Sequence, residues 1–586
     1  MITEFQLGNF KAFGETQRVP IKPITLIFGP NSGGKSSIIH SLALIHESNR
    51  TGELDLYLTQ LGGSSIDLGG FRKYVHRGLT DQKVEWGMKL YGSFEDGKAA
   101  PSRNPPWMPW LTDDEIRHIL PKGSPMSLSR QPTHFAREVS LYIGLPTENE
   151  YPSITSTQTG PSIYKDVVLH RNKQIGESGS RVLKYVIGDG LEPILELEYK
   201  DGQFLIRNSN LIKPGSSVDD SWQAIVCREH RERLDPELFG HVRRIVKSFE
   251  PEILITAEKL LPNKVLKSSS HEVSGRQWNS MFFGSGSNPS TMSVEDHARF
   301  YIQLMRVELD SLLEVTEKTI DRQLRRLNYL GPLRSFPRRK FDLSEHDDPN
   351  WFAGGGYAWQ AVKHDSEIRT LVNAWLGSDR LDTRYKFEER QLTSLSALEK
   401  TFRDRSNDTI KGLSHHSFLE MLLREGNLDF QSELILVDQR TGTEVTHRDV
   451  GIGLSQIIPV LVGAYGSTDR IIAIEQPEIH LHPALQAELA DVFIESALGK
   501  RGNTFILETH SEHLILRILR RVRQTTKGKA PDGLQIRADQ LAVLYVQPGE
   551  NGAVVIELPV TEEGEFDRPW PGGFFEERAD ELFSDE

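Results

Sequence analysis

The stretch Gly29-Pro30-Asn31-Ser32-Gly33-Gly34-Lys35-Ser36 matches the pattern G-x-x-x-x-G-K-[ST] at every fixed position. Its glycines allow backbone N–H groups to turn towards a phosphate, and Lys35 supplies a positive charge for the outer phosphate oxygens. Ser36 offers a hydroxyl to magnesium. The apolar run 24–28 before the stretch predicts a buried strand, and residues 36–46 predict a helix whose N-terminus faces the same anion. The sequence therefore predicts a phosphate-binding loop between a strand and a helix.

Late in the chain, a second apolar run ends in a carboxylate. Residues 470–483 read RIIAIEQPEIHLHP, with Glu475 directly after the apolar residues. A carboxylate at the carboxyl end of a strand can hold magnesium or its waters. Many buried strands end in glutamate, so the pattern alone is weak evidence for a magnesium ligand. It becomes strong evidence because the same chain has a phosphate loop.

Two shorter patterns flank this strand in the sequence. Before it, Gly451-Ile452-Gly453-Leu454-Ser455-Gln456 has a Gly-x-Gly-x-Ser pattern, whose last part, Gly453–Gln456, is called the Gly-x-Ser turn below. It opens an apolar helix, and such a turn can bind an anion or simply cap the helix. After it, the predicted strand 503–507 leads into Glu508-Thr509-His510. A single histidine is usually structural, but His510 falls at a strand tip where a sensor of the γ-phosphate would lie.

The order of these motifs predicts the domain organisation. Phosphate loop, Gly-x-Ser turn, acidic strand and strand-Thr-His follow one another as in an ABC-type ATPase. We expect an α/β fold, a P-loop ATPase head split by a large mixed, partly helical insertion. The predicted parts are 1–92 and 327–586 for the head, with the insertion at 93–326 between them. Within the insertion, Ser293 is predicted to cap a helix, and several prolines argue against a long coiled-coil arm.

Composition limits the class of protein. The chain has 586 residues, a net charge of −13 and ordinary hydrophobic content, and no run reaches the ~18 apolar residues of a membrane helix. The N-terminus does not have the pattern of a signal peptide. A single cysteine, Cys227, excludes an internal disulfide framework. We therefore expect a soluble, cytoplasmic protein without a membrane partner, and the acidic charge argues against a surface that coats DNA.

The motifs together resemble those of the ABC-like ATPases of the overcoming-lysogenization-defect (OLD) group. Within that group the chain looks most like stand-alone ATPases that end in a Trp-Pro-Gly-Gly-Phe-Phe-Glu box. Its layout is also similar to PtuA-type ATPases of Septu anti-phage systems and to retron-associated relatives. The resemblance covers both ends of the chain but not the insertion. The segments that carry it are 9–13, 29–36, 67–71, 329–334, 451–459, 475–483, 508–512 and 570–576.

The resemblance implies ATP and Mg²⁺ as cofactors and a set of site residues. Lys35 and Ser36 would bind phosphate and magnesium, and Glu475 would serve the magnesium. His510 would be the switch histidine. The remaining candidates for nucleotide contact lie in the phosphate loop and in the Gly-x-Ser turn, which would reach the γ-phosphate held by a second subunit. They are Gly29, Asn31, Gly33, Gly34, Ser37, Gly453, Ser455 and Gln456.

Two departures from the family pattern affect the catalytic assignment. No glutamine stands at 67–71, where a Q-loop is expected. The second acid of the usual ABC pair, which activates water, is replaced by Gln476. An amide can orient water but cannot accept its proton. We therefore expect either that Glu478 is the base or that hydrolysis is slow.

Two further clusters of side chains have both a functional and a purely structural interpretation. Arg334, Arg338, Arg339 and Lys340 form a basic group after Gly331-Pro332 that could contact phosphate or nucleic acid, or could be a solvated loop. His480 and His482 have the spacing of metal ligands on a strand. Packing or an interface is the favoured interpretation for them, since no further ligand cluster is visible.

The functional expectation is an ATPase of low turnover that forms a homodimer or a higher homo-oligomer through its heads. Its shape change would control a partner effector, a nuclease in an anti-phage system. The alternatives are an OLD-type nuclease that acts on DNA directly and a repair or chromosome-structure ATPase that clamps DNA. Because the chain contains neither the Asp-x-Asp of a Toprim domain after His510 nor an obvious His-Asn-His motif, we expect no intrinsic nuclease activity.

Overall fold

The segment Ile24–Phe28 forms a strand in which every residue is buried, as its apolar run predicts. Continuous apolar strands are typical of parallel sheets, since both faces of such sheets are covered. The computed structural model describes residues 1–93, 134–144, 180–188, 193–200, 202–211, 236–266, 293–334, 350–377, 380–393, 430–445 and 452–571. Strands and helices of these ranges are numbered below in chain order.

Most of the α-helices in these ranges lie in the N-terminal and C-terminal parts of the chain, 1–92 and 327–586. They are α1 (Lys35–Thr51), α2 (Phe71–Tyr74), α3 (Pro236–Phe249), α4 (Val294–Leu324), α5 (Gly356–His364), α6 (Ser366–Leu376), α7 (Ile452–Tyr465), α8 (Pro483–Leu498) and α9 (Glu512–Thr526). The predicted helix after the phosphate loop, α1, therefore extends beyond the predicted end at 46. Gly52 caps it in a left-handed conformation, which glycine adopts without strain.

Six of the described strands form the sheet that carries the motifs. In spatial order they are β13 (Leu327–Leu330), β17 (Ile471–Glu475), β18 (Thr504–Glu508), β3 (Ile24–Phe28), β19 (Leu541–Gln547) and β20 (Val554–Glu557). The first five are parallel and β20 is antiparallel. Because β3 comes from the start of the chain and its neighbours come from the end, the two ends build one sheet, as the motif order predicts.

The parallel sheet separates two hydrophobic clusters. Along β3, Leu26 and Phe28 belong to one cluster and Ile27 belongs to the other, since successive side chains of a strand point to opposite faces. Helices α7, α8 and α9 contribute to the cluster that contains Leu26 and Phe28. Helix α1 and the second sheet contribute to the other. This α/β layering confirms the predicted fold class.

A second, antiparallel sheet covers the other face, and nine of the described strands form it. In spatial order they are β12 (Pro262–Val265), β11 (Leu254–Ala257), β10 (Gln203–Ser209), β9 (Pro193–Lys200), β8 (Arg181–Gly188), β7 (His134–Gly144), β6 (Val84–Ser93), β1 (Ile2–Gly8) and β2 (Gln17–Pro20). The predicted first strand is therefore β1. It shares this sheet with strands far along the chain.

The predicted insertion continues the head's own sheet. Strand β6 ends at the predicted boundary, and β7 pairs with it antiparallel along its full length, from Val84↔Ile143 to Ser93↔His134. Strands β8 to β12 then add to the same sheet in chain order. The described strands of residues 93–326 thus extend a sheet that the N-terminal segment begins.

Helix α4 returns the chain from the antiparallel sheet to the parallel one. The hydroxyl of Ser293 accepts a hydrogen bond from the backbone N–H of Asp296, so the predicted N-cap is present. The helix packs against α3 and β12, and Asp321 accepts a hydrogen bond from Asn49 on α1 at 2.9 Å. Strand β13 follows almost directly.

Two small sheets complete the described residues. Strands β14 (Tyr385–Thr393), β15 (Phe430–Asp438) and β16 (Thr443–Val445) form an antiparallel sheet beside α5 and α6. Strands β4 (Leu58–Thr59) and β5 (Gly63–Asp67) form a hairpin close to the phosphate loop's helix. Within the described ranges, no helix combines the length and apolar character needed to cross a membrane.

Several sequence predictions concern residues outside the described ranges. They are the Pro-, Gly- and Ser-rich stretches 94–132 and 267–292, and Cys227, Arg338, Arg339, Lys340, Gly451 and residues 572–576 of the C-terminal box. The first residue of that box, Trp570, is described. Its ring meets Phe28, the last residue of β3, at 5.0 Å between centroids.

Candidate functional site

The phosphate loop connects β3 to α1 in a conformation that requires glycine at two positions. Gly29 has φ 147, and a Cβ there would lie 2.4 Å from the carbonyl oxygen of Val546 on β19. Gly34 has φ 101, and its Cβ would lie 2.4 Å from the Cβ of Ala12. Substitution at either position would therefore displace the loop from its neighbours. Asn31 is exposed on this loop, and Gly33 closes a turn by donating from its N–H to the Pro30 carbonyl.

The ammonium of Lys35 lies inside the loop. Its Nζ donates to the carbonyl oxygens of Gly29 at 3.1 Å and Pro30 at 2.9 Å, and the residue is 4% exposed. Burial lowers the pKa of Lys35, whereas the carboxylates of Glu508 and Glu478 favour its charged form. The loop thus holds a cation where phosphate oxygens are expected. Ser37, in contrast, is buried on α1, and its N–H donates to the Gly34 carbonyl.

Sequence reasoning missed the direct partner of Ser36. The Ser36 hydroxyl donates to Oε2 of Glu508 at 2.7 Å. Burial is the main reason that the pKa of Glu508 is raised to about 7, and the charge of Glu475 adds to it. The hydrogen bond from Ser36 and the charge of Lys35 act in the opposite direction. The only sequence signal for Glu508 was a carboxylate at the end of a predicted strand.

Glu475 ends β17 beside Glu508, which ends β18. The two residues are paired in register across the parallel strands. Oε1 of Glu475 accepts a hydrogen bond from the hydroxyl of Tyr329 at 2.9 Å and lies 3.3 Å from Nε2 of His40 on α1. Burial raises the pKa of Tyr329, so its hydroxyl stays protonated and acts as a donor. Glu475 is therefore a buried carboxylate held at the carboxyl edge of the sheet.

The strand ends at Glu475 because the next residue leaves the extended conformation. Gln476 has φ 47, and its N–H donates to the backbone carbonyl of Glu508 at 2.8 Å. Pro477 follows and removes a backbone donor. Gln476 and Glu478 thus do not share one face of a strand.

Glu478 is buried next to the predicted switch histidine. Its Oε1 accepts a hydrogen bond from the backbone N–H of His510 at 2.7 Å. Its Oε2 is buried and has no hydrogen-bond partner among the described residues. Burial raises the pKa of Glu478, and the contacts with His510, Thr509 and Arg334 oppose that rise. A buried carboxylate oxygen without a partner is a candidate acceptor for a proton or a water.

His510 lies on the same side of the sheet, half-buried. Burial lowers the pKa of its imidazole, and the charge of Lys35 lowers it further, so the neutral ring is favoured. Its Nε2 is buried and has no hydrogen-bond partner within the described part of the chain. The structure thus brings together the predicted Lys35, Glu478 and His510.

The Gly-x-Ser turn lies at the start of α7 and packs inside its own subunit. A Cβ on Gly453 would come within 2.8 Å of the His480 carbonyl oxygen. Ser455 is 1% exposed, so its hydroxyl does not face the surface that a second subunit would approach. The side chain of Gln456 is buried and donates to the carbonyl of Arg334 at 3.1 Å. Contact of these residues with a partner's nucleotide would require this turn to move.

Arg334 is a buried structural link rather than part of a solvated basic loop. Its guanidinium donates to the carbonyl oxygens of Gln456 at 3.1 Å, Glu475 at 3.0 Å and Gln476 at 3.1 Å. Burial lowers its pKa to about 10, and it nevertheless remains charged near neutral pH. Arg334 therefore connects the start of α7 with the end of β17 and does not present its charge to nucleic acid.

The two histidines after β17 have backbone roles. Nδ1 of His482 accepts from the N–H of Ala484 and caps α8. His480 has φ 60, and its carbonyl faces Gly453. Both fit the packing interpretation that the sequence favoured.

A chain of side chains joins the predicted Q-loop region to Glu475. Nζ of Lys11 donates to the backbone carbonyl of Asp67 at 3.1 Å and lies 2.8 Å from Nδ1 of His40. The other nitrogen of His40 faces Glu475, as described above. Sequence reasoning singled out neither His40 nor the side chain of Lys11 as a site residue.

Comparison with known proteins finds two family models that match parts of the chain. Residues 310–517 match the model of a family described as "AAA domain, putative AbiEii toxin, Type IV TA system". This part of the chain is therefore similar to an AAA ATPase domain. The match contains the Gly-x-Ser turn, β17 and β18, whereas the phosphate loop lies outside it. Residues 536–584 match a family described as "Protein of unknown function (DUF3696)", and no curated protein matches the chain.

Solved structures with a similar layout include heads of SMC proteins. An SMC head bound to the C-winged helix domain of ScpA has 9% identity and a TM-score of 0.31, with 95% of this chain and 98% of that chain covered. A head with an extended coiled coil from Pyrococcus furiosus, bound to the C-terminal domain of ScpA, has 10% identity and a TM-score of 0.30, with coverages of 95% and 96%. The head from Thermotoga maritima has 8% identity and a TM-score of 0.31, with coverages of 95% and 99%.

Proposed function

We propose that the ATPase domain binds ATP with Mg²⁺ at the loop Gly29–Ser36 and hydrolyses it slowly. One observation supports this most directly: Lys35 and Ser36 lie beside buried carboxylates, Glu508 and Glu478, at one edge of the parallel sheet, and Glu475 lies next to Glu508. A cation for phosphate, a hydroxyl for magnesium and acidic groups for magnesium and water are the parts that phosphoryl transfer to water needs.

The residues present fit a magnesium ion. Oxygen donors suit this cation, which usually takes one or two protein ligands and completes its shell with phosphates and water. The hydroxyl of Ser36 and the carboxylate of Glu475 would hold it. Bound magnesium neutralises charge on the β- and γ-phosphates during transfer. Lys35 would leave its two loop carbonyls to contact the outer phosphates, and the N-terminus of α1 would face the same anion.

Glu478 is the candidate base for the attacking water. It is the carboxylate two residues beyond Gln476, and its unpartnered Oε2 offers the acceptor that an amide lacks. His510 would orient the γ-phosphate or the water, since its backbone is tied to Glu478 and its free Nε2 lies in the same region. Gln476 would contribute orientation only.

Two heads would pair around ATP, with the Gly-x-Ser turn of one head against the nucleotide of the other. Because Ser455 is buried in its own subunit, pairing would include a rearrangement at the start of α7. Arg334 links that turn to the end of β17, so the rearrangement would report on the state of the site. Because Ser455 is buried in its own subunit, the substitution Ser455→Arg would test the packing of that subunit more than the pairing of two heads.

The output would be a shape change that controls a partner effector, a nuclease of an anti-phage system. Two points support this role: the resemblance to PtuA-type ATPases, and a matched family whose description names a putative toxin of a toxin–antitoxin system. Purification of the chain together with the products of neighbouring genes tests it. A co-eluting nuclease supports the proposal, and an ATPase that elutes alone in the presence and absence of ATP contradicts it.

The nucleotide site itself is tested by calorimetry with ATP and Mg²⁺. We expect Lys35→Ala to abolish binding, because the phosphates then lack their main cationic partner. Lys500→Ala removes an exposed lysine at the end of α8 and serves as the matched control. Equal ATP affinity in Lys35→Ala and in the control would exclude this loop as the binding site.

A further inference from the structure

Glu508 occupies a special place in the parallel sheet. Its strand, β18, lies between β17 and β3, so its carboxyl end is one strand closer to the phosphate loop than that of Glu475. Strand spacing is ~4.8 Å. The topology thus places an acid directly beside Ser36, whereas the acid that the sequence motif predicted lies one strand further away.

The hydrogen bond between Ser36 and Glu508 has a defined direction. In its ionised form Glu508 can only accept, so the Ser36 hydroxyl then donates its hydrogen to Oε2 at 2.7 Å. The lone pairs of Oγ are then free to face a cation. Glu508 also carries a negative charge next to the same hydroxyl. Both effects favour a bound metal at Ser36, and neither is available from Gln476.

We propose that Glu508 is the acid that builds the magnesium site together with Ser36, whereas the water-activating role of the acid missing at Gln476 stays with Glu478. This rests on the proposed binding of ATP with Mg²⁺. Glu508 holds the Ser36 hydroxyl in the metal-binding orientation and contributes charge to the cation. Glu475, held by Tyr329 and His40, is the second carboxylate of the same site.

Calorimetric titration of ATP in the presence of Mg²⁺ and in the presence of EDTA tests the role. Glu508→Gln keeps the shape of the side chain and removes its charge. We expect the gain in ATP affinity that Mg²⁺ provides to fall by about 10- to 100-fold, the usual range for a group that supports a metal ligand. Without Mg²⁺, the variant should bind ATP at least as well as the parent, because a carboxylate no longer repels the triphosphate. Loss of folding would lower both affinities and cannot produce this opposite pair.

Glu488→Gln is the matched control, since it neutralises a carboxylate of the same type that pairs with Arg517 and has no role in the proposed site. It should keep the full magnesium effect. A magnesium effect in Glu508→Gln equal to that of the parent overturns the proposal. A stronger effect also overturns it, since Glu508 would then be a cap that magnesium must displace. If the parent itself binds ATP equally with and without Mg²⁺, the proposed function fails before Glu508 is tested.

A separate observation concerns the missing Q-loop glutamine. An ammonium can only donate, so Nδ1 of His40, 2.8 Å from Nζ of Lys11, accepts a hydrogen bond. The other ring nitrogen of His40, Nε2, lies 3.3 Å from Oε1 of Glu475. The backbone of Asp67, in the segment where the glutamine is expected, holds Lys11 from the other side.

We infer that Lys11 and His40 are positioning residues that connect the 67–71 segment to Glu475, the link that a Q-loop glutamine would otherwise make. His40 orients the carboxylate, and Lys11 sets which ring nitrogen of His40 carries the hydrogen. Other metal sites use the same device, in which a second residue fixes the orientation of a ligand. This inference also rests on the proposed magnesium site.

Two substitutions of His40 separate the two halves of the link. Glutamine places an amide N–H near the position of Nε2 and keeps the contact with Glu475. Asparagine places an amide near Nδ1 and keeps only the contact with Lys11. We expect His40→Gln to retain most of the magnesium effect on ATP affinity and His40→Asn to lose about 10- to 100-fold of it. Equal magnesium effects in the two variants would contradict the inference, whether both match the parent or both fall.

Discussion

Glu478 combines burial, a hydrogen bond from the backbone N–H of His510 to Oε1, and an Oε2 without a hydrogen-bond partner among the described residues. A general base contributes ~10²–10⁴ in rate. We expect Glu478→Gln to slow ATP hydrolysis by about that factor in single-turnover measurements and to leave ATP affinity unchanged. An unchanged rate would remove Glu478 from the mechanism.

Gln476→Glu is the reciprocal experiment at the neighbouring residue. If the site has only lost its usual base, restoring a carboxylate at the end of β17 should speed single-turnover hydrolysis. The backbone of Gln476 is fixed by Glu508 and Arg334, so the new carboxylate should occupy the place of the amide. A slower variant would show that the amide itself is required.

The raised pKa of Glu478 predicts the pH dependence of hydrolysis. Burial has the largest effect on the pKa of this carboxyl and raises it. The backbone N–H of His510, Thr509 and the charge of Arg334 lower it, and Lys35 lies nearby. The folded pKa therefore lies above the ordinary 4.5, and the group becomes a base only as the pH rises through that raised value. We expect the single-turnover rate to increase with pH in this range. The same rise in Glu478→Gln would assign the dependence to another group.

At the scale of elements, the two last helices of the head are joined by a buried ion cluster. Asp491 on α8 is 1% exposed and accepts from Arg521 at 2.8 and 2.6 Å and from Arg517 at 2.7 Å, both on α9. Helix α9 directly follows His510. The cluster therefore anchors the helix that begins two residues after His510.

Removal of Asp491 should destabilise the head strongly. Asp491→Ala leaves the guanidinium of Arg521 without a carboxylate and that of Arg517 with Glu488 alone, and removal of one partner of a buried pair typically costs ~3–5 kcal/mol. Glu488→Ala, which removes a more exposed partner of Arg517, should cost less than ~1 kcal/mol. Urea denaturation measures both. Similar losses in the two variants would show that burial does not set the strength of this cluster.

The elements around the phosphate were predictable because their signals are local. Buried parallel strands appear as short apolar runs, and β3, β17 and β18 each end where a motif begins. The cap of α4 at Ser293 was also readable. Contacts across strands were not: Glu508 meets Ser36 only because β18 lies between β17 and β3, and that order is a property of the whole sheet.

The burial of particular polar side chains was also not predictable from the sequence. Arg334 looked like part of a solvated basic run, yet its guanidinium is buried and donates to three backbone carbonyls inside the head. Ser455 looked available to a partner, yet it packs at the first turn of α7. The pairing of β7 with β6 depends on a long-range antiparallel register, which local periodicity does not specify.

At the scale of the whole molecule, the two ends of the chain form one head, and the described strands between them widen its second sheet. The head contains a phosphate loop and a Gly-x-Ser turn but keeps the latter buried. This arrangement suits a protein whose heads stay separate until nucleotide binding rearranges the turn. Slow hydrolysis would then prolong the paired state.

Sedimentation velocity of Glu478→Gln tests this account most directly. The chain has a mass of 66.4 kDa. With ATP and Mg²⁺, the account predicts that the sedimenting mass at least doubles relative to the nucleotide-free protein, and that the additional substitution Lys35→Ala prevents the change. A mass that ATP leaves unchanged, although calorimetry shows that ATP is bound, would contradict nucleotide-driven pairing of the heads.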